Sequence, residues 1–217
     1  MSLILYAHPF SSYCQKVLIA LYESAIPFEL RMLSPDNPAA GAEFVDLWPL
    51  RRMPVLRDSD QTLIEATIII EHLDLYHSGP ARLLPADPRA ALRVRFMDRV
   101  FDNYIMTPMQ KIVGDHLRPS EARDPHGVAE ARMLLGTTYR WLDQTFQERW
   151  ACGDFSLADC AAAPSLFYAD WVHPIGDDCR KLQAYRRRLL ARPSFARAVD
   201  EARPYRPLFP PGAPDRD

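Results

Sequence analysis

The order of strand and helix patterns in the first 77 residues restricts the possible folds more than any other feature of this 217-residue sequence. An apolar run over residues 3–7 predicts a buried strand, and apolar residues at helical spacing over 14–21 predict a helix. Alternating apolar and charged residues over 28–32 predict a second strand. A helix between two strands indicates a parallel crossover, so the chain is expected to begin as a βαβ unit.

A hairpin and a further helix are predicted next. Residues 54–57 and 62–64 flank Asp58-Ser59-Asp60, a polar triplet typical of a turn between antiparallel strands. A helix is then expected to open at Glu65. The resulting βαβ-ββα order predicts a small mixed sheet with helices packed on it.

The remainder of the chain has the pattern of a linker followed by helices. Residues 78–89 are rich in glycine and proline and are predicted to be the linker. An all-helical part is expected over 90–205, and the proline-rich residues 206–217 are predicted to form an extended tail. Pro108 should kink the first helix of this part. The predicted helices span 90–117, 128–149, 157–171, 179–191 and 194–203.

Composition argues against several other classes of protein. The formal net charge of -2 offers no general attraction for nucleic acid or for an anionic membrane. No apolar run approaches the ~18–20 residues of a transmembrane span, and the N-terminus has no signal-peptide pattern. The four cysteines make no C-x-x-C pair and lie at no zinc-ligand spacing from a histidine. We therefore expect a cytoplasmic protein with free thiols and no metal.

The junction between the first strand and the first helix is the main candidate for chemistry. Ser11 and Ser12 stand where unpaired backbone N–H groups and the helix dipole favour an anion such as a thiolate. The dipole contributes roughly 0.3–1 kcal/mol, and a hydroxyl that donates to the sulfur adds ~1.5–3 kcal/mol. Together they bring a thiol from its usual pKa of ~8.5 to a mostly ionised state at neutral pH. On local sequence alone, an ordinary N-cap serine explains the same residues.

Two further junctions complete a candidate ligand site. Pro54 follows Arg52-Met53 and opens a strand, where its missing N–H costs little. Glu65-Ala66 lies where another strand runs into a helix, whose first amides suit a carboxylate. Glu65 can accept a ligand's ammonium group, although an acidic residue in a first helical turn is usually only a dipole partner. Together the three junctions suggest a zwitterionic peptide ligand that carries a thiol.

A fourth motif is assigned to folding. Ser156 and Asp159 have the S-x-x-D spacing of a capping box and precede a long apolar helix. Such a pair satisfies the first N–H groups of the helix, so we expect it to set where that helix begins and to take no part in chemistry.

These four landmarks, in this order, resemble the soluble glutathione transferase family over nearly the whole chain. The resemblance implies a thioredoxin-like domain over 1–77, a helical-bundle domain after it, and a cis peptide bond before Pro54. It implies that the Met53 backbone pairs with the cysteinyl part of glutathione, and that Arg52 lies near the glycyl carboxylate. Glu65-Ala66 matches the Glu-Ser pair that binds the γ-glutamyl group, but alanine in place of serine removes one side-chain hydrogen bond.

The resemblance also implies roles around the thiol. Ser11-Ser12 is similar to the Ser-Ser of zeta-type transferases, and the Ser11–Cys14 stretch is similar to the C-P-Y-C motif of glutaredoxins. Both alignments favour Ser11 as the activating hydroxyl, with Ser12 second, and we interpret Cys14 as a packed helix residue. A second-substrate pocket is expected to be walled by apolar side chains, although such residues are more often core. The candidates are Phe10, Phe101, Tyr104, Met106, Met109 and Trp171.

The activity that the resemblance implies is conjugation of the glutathione thiolate to a hydrophobic electrophile by a homodimer. A glutathione-dependent, zeta-like maleylacetoacetate isomerase is an alternative with the same serine motif. A non-catalytic glutathione-binding or interaction protein, like the starvation-response proteins of this fold, is another. The loss of serine after Glu65 slightly favours that reading, whereas the retained Ser11-Ser12 pair argues against it.

Overall fold

The N-terminal part of the chain forms a four-stranded mixed sheet in the computed structural model, which describes residues 3–77, 79–146 and 149–217. The strands are β1 (Leu3–Ala7), β2 (Phe28–Met32), β3 (Val55–Asp58) and β4 (Gln61–Ile64). Their order across the sheet is β2-β1-β3-β4. β1 is parallel to β2, and β3 is antiparallel to β1 and β4, which confirms the predicted mixed sheet.

The helices of this part are α1 (Ser12–Glu23), α2 (Pro38–Leu47) and α3 (Ala66–Tyr76). α1 makes the crossover between β1 and β2, and its buried face carries the apolar residues that the helical spacing predicts. α3 begins directly after β4, with Glu65 as its N-cap. The observed βαβ-ββα order is that of a thioredoxin-like domain, and it brings the starts of α1 and α3 to one side of the sheet.

The second part of the chain is helical, as predicted. Its first helix begins at Pro88, two residues before the expected start, because Asp87 caps it by accepting a hydrogen bond from the Ala90 N–H. Ser78, the first residue of the predicted linker, lies outside the described residues. The helices are α4 (Pro88–Val100), α5 (Thr107–His116), α6 (Pro125–Thr145), α7 (Leu157–Val172), α8 (Arg180–Leu190) and α9 (Pro193–Ala202).

A π-helical segment at Phe101–Met106 divides the predicted long helix into α4 and α5. Pro108 lies in the first turn of α5 and has no N–H to donate to the carbonyl group four residues before it. The wider π turn precedes this proline and accommodates the missing bond without ending the helical path. The sequence predicted a kink at Pro108, whereas the structure has a widened turn just before it.

The two parts of the chain share one core, in which α1 packs directly against α7. The predicted capping box starts α7, with Asp159 fully buried. Its carboxyl group accepts hydrogen bonds from the Ser156 N–H at 3.0 Å, the Ala151 N–H at 2.9 Å and the Tyr185 hydroxyl at 2.6 Å. This one side chain therefore ties the loop before α7 to α8.

The tail differs from its prediction. Arg203–Leu208 forms a 3-10 helix, so the stretch predicted as extended over 206–217 is helical at its start. Phe209 is buried against the rings of Phe10, Tyr168 and Trp171. Arg216 pairs with Asp170 on α7. An aromatic anchor and an ion pair hold the tail on the helical part, and proline-rich composition does not reveal such contacts.

Candidate functional site

A cavity of 660 Å³ lies between the thioredoxin-like part and the first helices of the second part. Its walls come from the start of α1, the turn before β3, the start of α3, and the α4–α5 region with its π turn. The three junctions that the sequence singled out meet here. The predicted site residues that line the cavity are Ser11, Arg52, Met53, Pro54, Glu65 and Ala66.

Ser11 occupies the N-cap position of α1, but its side chain does not cap the helix. Its backbone is extended and its N–H donates to the His8 carbonyl group, yet no side-chain capping bond is found for it among the described residues. Ser12, the second candidate, is buried and is not one of the described residues that line the cavity. The structure therefore separates the two serines and favours Ser11 for contact with a ligand.

Cys14 and Tyr13 are neighbours on α1, but Cys14 is buried in the core whereas Tyr13 lines the cavity. Cys14 is fully buried, and burial raises the pKa of its thiol to about 11, against a smaller opposing effect of Ser11 and the His8 backbone. Its thiol is therefore protonated at neutral pH, as expected for a packed helix residue. Tyr13 lines the cavity, and burial raises the pKa of its phenol, so its hydroxyl stays protonated and can donate a hydrogen bond.

Two cavity residues have backbone conformations that side chains rarely adopt. Glu65 has a φ of 69° at the start of α3, and Arg51 has a φ of 53° in the turn before β3. Each such residue costs about 1–3 kcal/mol, and strain of this kind concentrates at functional sites. The peptide bond between Met53 and Pro54 is cis, as the family resemblance implies.

A buried charge network supports the cavity wall from behind. The Nζ atom of Lys16 lies 2.5 Å from Asp98 Oδ1, 2.8 Å from Asp102 Oδ2 and 2.9 Å from Thr67 Oγ1. Arg99 Nη2 also lies 2.6 Å from Asp102 Oδ2. Burial raises the pKa of Asp102, while attraction to Lys16 lowers it and repulsion from Asp98 raises it further. The network couples α1 and α3 to α4 and the π segment, so both parts of the chain position the wall.

The cavity also contains residues that sequence reasoning did not select. Tyr13 and Thr67 directly follow the predicted serine and Glu-Ala junctions. Extending the predicted site into the first turn of each helix would therefore have included them. Arg51 directly precedes the predicted Arg52 in the turn before β3. The other residues lie on the α4–α5 region and had no recognisable signal, because the π turn shifts which face of that region meets the cavity. They are Arg99, Asp102, Asn103 and Gln110.

The six residues predicted to wall a second-substrate pocket lie outside this cavity. Phe101, Met106 and Met109 are buried in the main core. Tyr104 is 49% exposed. The last two candidates, Phe10 and Trp171, pack with each other in the aromatic cluster that holds the tail. None of the six is among the described residues that line the cavity, and the wall in their place is mainly polar.

Comparisons with known proteins agree with this fold. A family model described as "Glutathione S-transferase, N-terminal domain" matches residues 5–81. A probable maleylacetoacetate isomerase from Vibrio cholerae is 31% identical, covering 94% of this chain and 98% of that protein. A stringent starvation protein A homolog from Coxiella burnetii is 28% identical over 91% of each chain. A glutathione S-transferase from Methylobacterium radiotolerans, solved in complex with glutathione sulfonate, superimposes with a TM-score of 0.78 at 29% identity, covering 92% and 95% of the two chains.

The fold is a thioredoxin-like domain joined to a helical bundle, with a cavity between them. The chain belongs to the glutathione S-transferase family. Within the described ranges, no helix is both long enough and apolar enough to cross a membrane.

Proposed function

We propose that the cavity binds glutathione and that the chain is a glutathione-dependent enzyme. The observation that carries this proposal is the meeting of two helix N-termini, a basic turn and a serine hydroxyl that makes no capping bond, all in one cavity. Glutathione has two carboxylates, one ammonium group and one thiol. The solved relative from Methylobacterium radiotolerans holds glutathione sulfonate, which supports a ligand of this type.

Each part of glutathione has a matching group in the cavity. The γ-glutamyl carboxylate would bind at the first amides of α3, with its ammonium group beside Glu65. The glycyl carboxylate would lie near Arg52, and the cysteinyl backbone would pair with Met53. Ala66 stands where the family has a serine that hydrogen-bonds the γ-glutamyl group. The neighbouring Thr67 is a poor substitute donor, because its hydroxyl is already bonded to Lys16 and Asp98.

In this proposal Ser11 holds the thiol at the start of α1. Its hydroxyl donates a hydrogen bond to the sulfur, and the positive end of α1 adds to the stabilisation of the thiolate. The thiol proton passes to water, and the thiolate forms a bond to an electrophilic carbon of the second substrate. A chloroaryl substrate then loses chloride as its carbon–chlorine bond breaks, whereas an activated double bond gives up its π pair to a carbanion that takes a proton from water. The protein supplies proximity and thiolate electrostatics and forms no covalent bond to the substrate.

The polar wall points to an electrophile with charged or hydrogen-bonding groups, in place of the hydrophobic one that the sequence suggested. Arg51 lines the cavity beside Arg52, so an anionic second substrate would find a basic partner in addition to the one assigned to the glycyl carboxylate. This observation also favours the second candidate function, a glutathione-dependent isomerase, for which the Vibrio cholerae relative is named. There glutathione would add to a double bond and leave again unchanged.

A non-catalytic role is the remaining candidate, and the named relative from Coxiella burnetii keeps it open. The position of Ser11 in the cavity wall at the start of α1 argues for catalysis. The experiment that separates these functions is an assay of purified protein with maleylacetoacetate and with chloroaryl substrates. Isomerisation without loss of glutathione identifies the isomerase, and a thioether product identifies the transferase. If the protein binds glutathione but catalyses neither reaction, the non-catalytic role is supported.

Glutathione binding is tested first by thermal unfolding with glutathione and with S-methylglutathione. A site saturated at about 100 times its dissociation constant adds ~2.7 kcal/mol of stability. This corresponds to several degrees, at roughly 2–4 °C per kcal/mol for a chain of this length. Arg52→Gln should reduce the shift for both ligands. No shift at millimolar glutathione would overturn the proposal.

We also propose that the chain acts as a cytoplasmic homodimer. Large apolar side chains are exposed side by side on α3 and α4, and the Arg95–Glu71 pair joins these helices at 2.8 Å. A self-complementary contact across such faces would cover them. Phe96→Glu should convert a dimer to a monomer in size-exclusion chromatography with light scattering, whereas Leu208→Glu, an exposed site on the tail, should not. A monomeric wild type would contradict the dimer.

A further inference from the structure

A cluster of metal-ligand side chains lies away from the cavity, at the opposite ends of β3 and α3. Asp58 is the last residue of β3, His72 lies within α3, and His77 directly follows α3. Nε2 of His72 and Nε2 of His77 lie 2.8 Å and 2.6 Å from the same oxygen, Asp58 Oδ2. Within the described residues, this is the group of at least three such donors whose ligand atoms all lie within 4.8 Å of one another.

The three donors have the chemistry of a transition-metal site. Imidazole nitrogen and carboxylate oxygen are common ligands of Zn²⁺, at about 2.0–2.2 Å. In a tetrahedral site these bond lengths place neighbouring ligand atoms about 3.3 Å apart. The observed separations between the nitrogens and Oδ2, 2.8 Å and 2.6 Å, are about 0.5–0.7 Å shorter, as expected for N–H groups that bond to the oxygen directly. An ion that replaces the two protons needs only a small outward movement of the donors.

The burial of the cluster suits an ion that keeps one position open to water. The side chains of His72 and Asp58 are 9% and 15% exposed, so their positions are held by the surrounding fold. The side chain of His77 is 26% exposed and forms the open side. Three protein ligands and a water molecule complete a four-coordinate site, and the single carboxylate offsets part of the charge of a divalent ion.

The fold, and not helical spacing, brings the histidines together. Residues five apart on a helix do not share a face. His77 can turn back because α3 ends before it: its backbone is extended, with φ -120° and ψ 95°, and its N–H bonds to the Leu73 carbonyl group. The β3–β4 hairpin then brings Asp58 against both rings. A search for zinc-ligand spacing in the sequence therefore finds nothing here, and the sequence predicted no metal.

We propose that Asp58, His72 and His77 bind a divalent transition-metal ion, with Zn²⁺ the expected occupant and water as its fourth ligand. The ion would fasten the end of the β3–β4 hairpin to the end of α3. The other ends of β3 and α3 adjoin Pro54 and Ala66 in the cavity. The metal would therefore stabilise the thioredoxin-like part without touching a ligand in the cavity, and this inference does not depend on glutathione binding.

The test uses the full chain, stripped of metal with a chelator and kept free of glutathione, which itself binds metals. Calorimetric titration with Zn²⁺ should show one ion per chain, and saturation should raise the Tm by several degrees. His77→Ala should weaken Zn²⁺ binding by at least about 100-fold, since even residues behind a ligand change affinity 10–100-fold. Asp58→Asn should act in the same direction. His126→Ala is the matched control, because that histidine is exposed and lies on α6, where its Nε2 is 3.4 Å from Glu130 Oε1.

His77→Ala is the decisive variant because its partly exposed ring can be removed with little loss of packing, and its metal-free circular dichroism spectrum checks the fold. The visible spectrum of the Co²⁺ form provides a second measurement. Tetrahedral absorption without a thiolate band, lost in His77→Ala, supports the site. Equal Zn²⁺ binding by wild type and His77→Ala would overturn the proposal. A thiolate band, or no binding of one equivalent by the wild type, would also overturn it.

Discussion

Helices α1 and α7 pack against each other and both begin after a serine, but the two serines serve different ends. Before α7, Ser156 is buried, and Asp159 in the first turn accepts a hydrogen bond from its backbone N–H. Before α1, Ser11 faces the cavity, and the first turn of that helix carries no acidic residue. The positive end of α7 is neutralised inside the protein, whereas that of α1 remains available to an anion. A capped start fixes a fold, and an uncapped start in a cavity can bind a ligand.

The largest expected effect tests the folding side of this comparison. Asp159→Ala removes the acceptor for the Ser156 N–H, the Ala151 N–H and the Tyr185 hydroxyl, all of them inside the protein. We expect the free energy of unfolding to fall by about 3–5 kcal/mol, measured by urea denaturation. Glutathione binding by the folded fraction should remain at wild-type strength. If Asp159→Ala kept wild-type stability but bound glutathione more weakly, the proposed difference between the two helix N-termini would be wrong.

The next effect tests the chemical side. Ser11→Ala should lower turnover about 10–100-fold, because the thiolate loses a charge-assisted hydrogen bond worth about 1.5–3 kcal/mol. The pKa of bound glutathione, followed by ultraviolet absorption of the thiolate, should rise in this variant, and S-methylglutathione should bind equally to both proteins. Ser12→Ala is the matched comparison, since Ser12 is buried outside the cavity wall. The assignment fails if the Ser12 variant, and not the Ser11 variant, loses turnover.

A smaller effect is expected when the serine of the capped helix is changed. Ser156→Ala should lower the free energy of unfolding by about 1 kcal/mol, since one cap is lost while Asp159 remains. Turnover should not change. Ser11→Ala should leave the denaturation midpoint nearly unchanged, because Ser11 makes no side-chain capping bond within the described residues. Substituting the N-cap serine should therefore lower stability but not turnover at α7, and turnover but not stability at α1.

The smallest effect concerns the histidine that ends α7 and the one that precedes α1. Burial lowers the pKa of His173, with Arg132 adding to it, and burial also lowers the pKa of His8. The unfolded chain therefore binds more protons just below pH 6.5, so stability is lost as the pH falls below that value. Because both rings keep contact with water, we expect less than about 1 kcal/mol from each between pH 7 and 5.

The measurement for this prediction is the difference between His173→Gln and wild type across that pH range. The glutamine variant should lose less stability on acidification, and the difference should disappear above pH 7. An equal loss in both proteins would show that the ring of His173 does not contribute to the pH dependence.

Local sequence patterns were sufficient to predict those elements that depend on interactions between neighbouring residues. The first two strands were predicted with their observed bounds, 3–7 and 28–32, because alternation and chain breakers act over a few residues. The capping box at Ser156 was predicted for the same reason. The three junctions that meet at the cavity were also visible in the sequence, since each one is a strand that meets a helix or a proline.

The cavity wall was decided by tertiary structure. The apolar candidates do not line the cavity, and the α4–α5 region contributes polar residues instead, around a π turn before Pro108 that the sequence did not indicate. Lys16 meets Asp98 and Asp102 only when the two parts of the chain pack together. Likewise, Asp58 meets His72 and His77 only when the hairpin folds onto the end of α3. Helical period and caps are properties of neighbouring residues, whereas these contacts join residues far apart in sequence and arise only when the core forms.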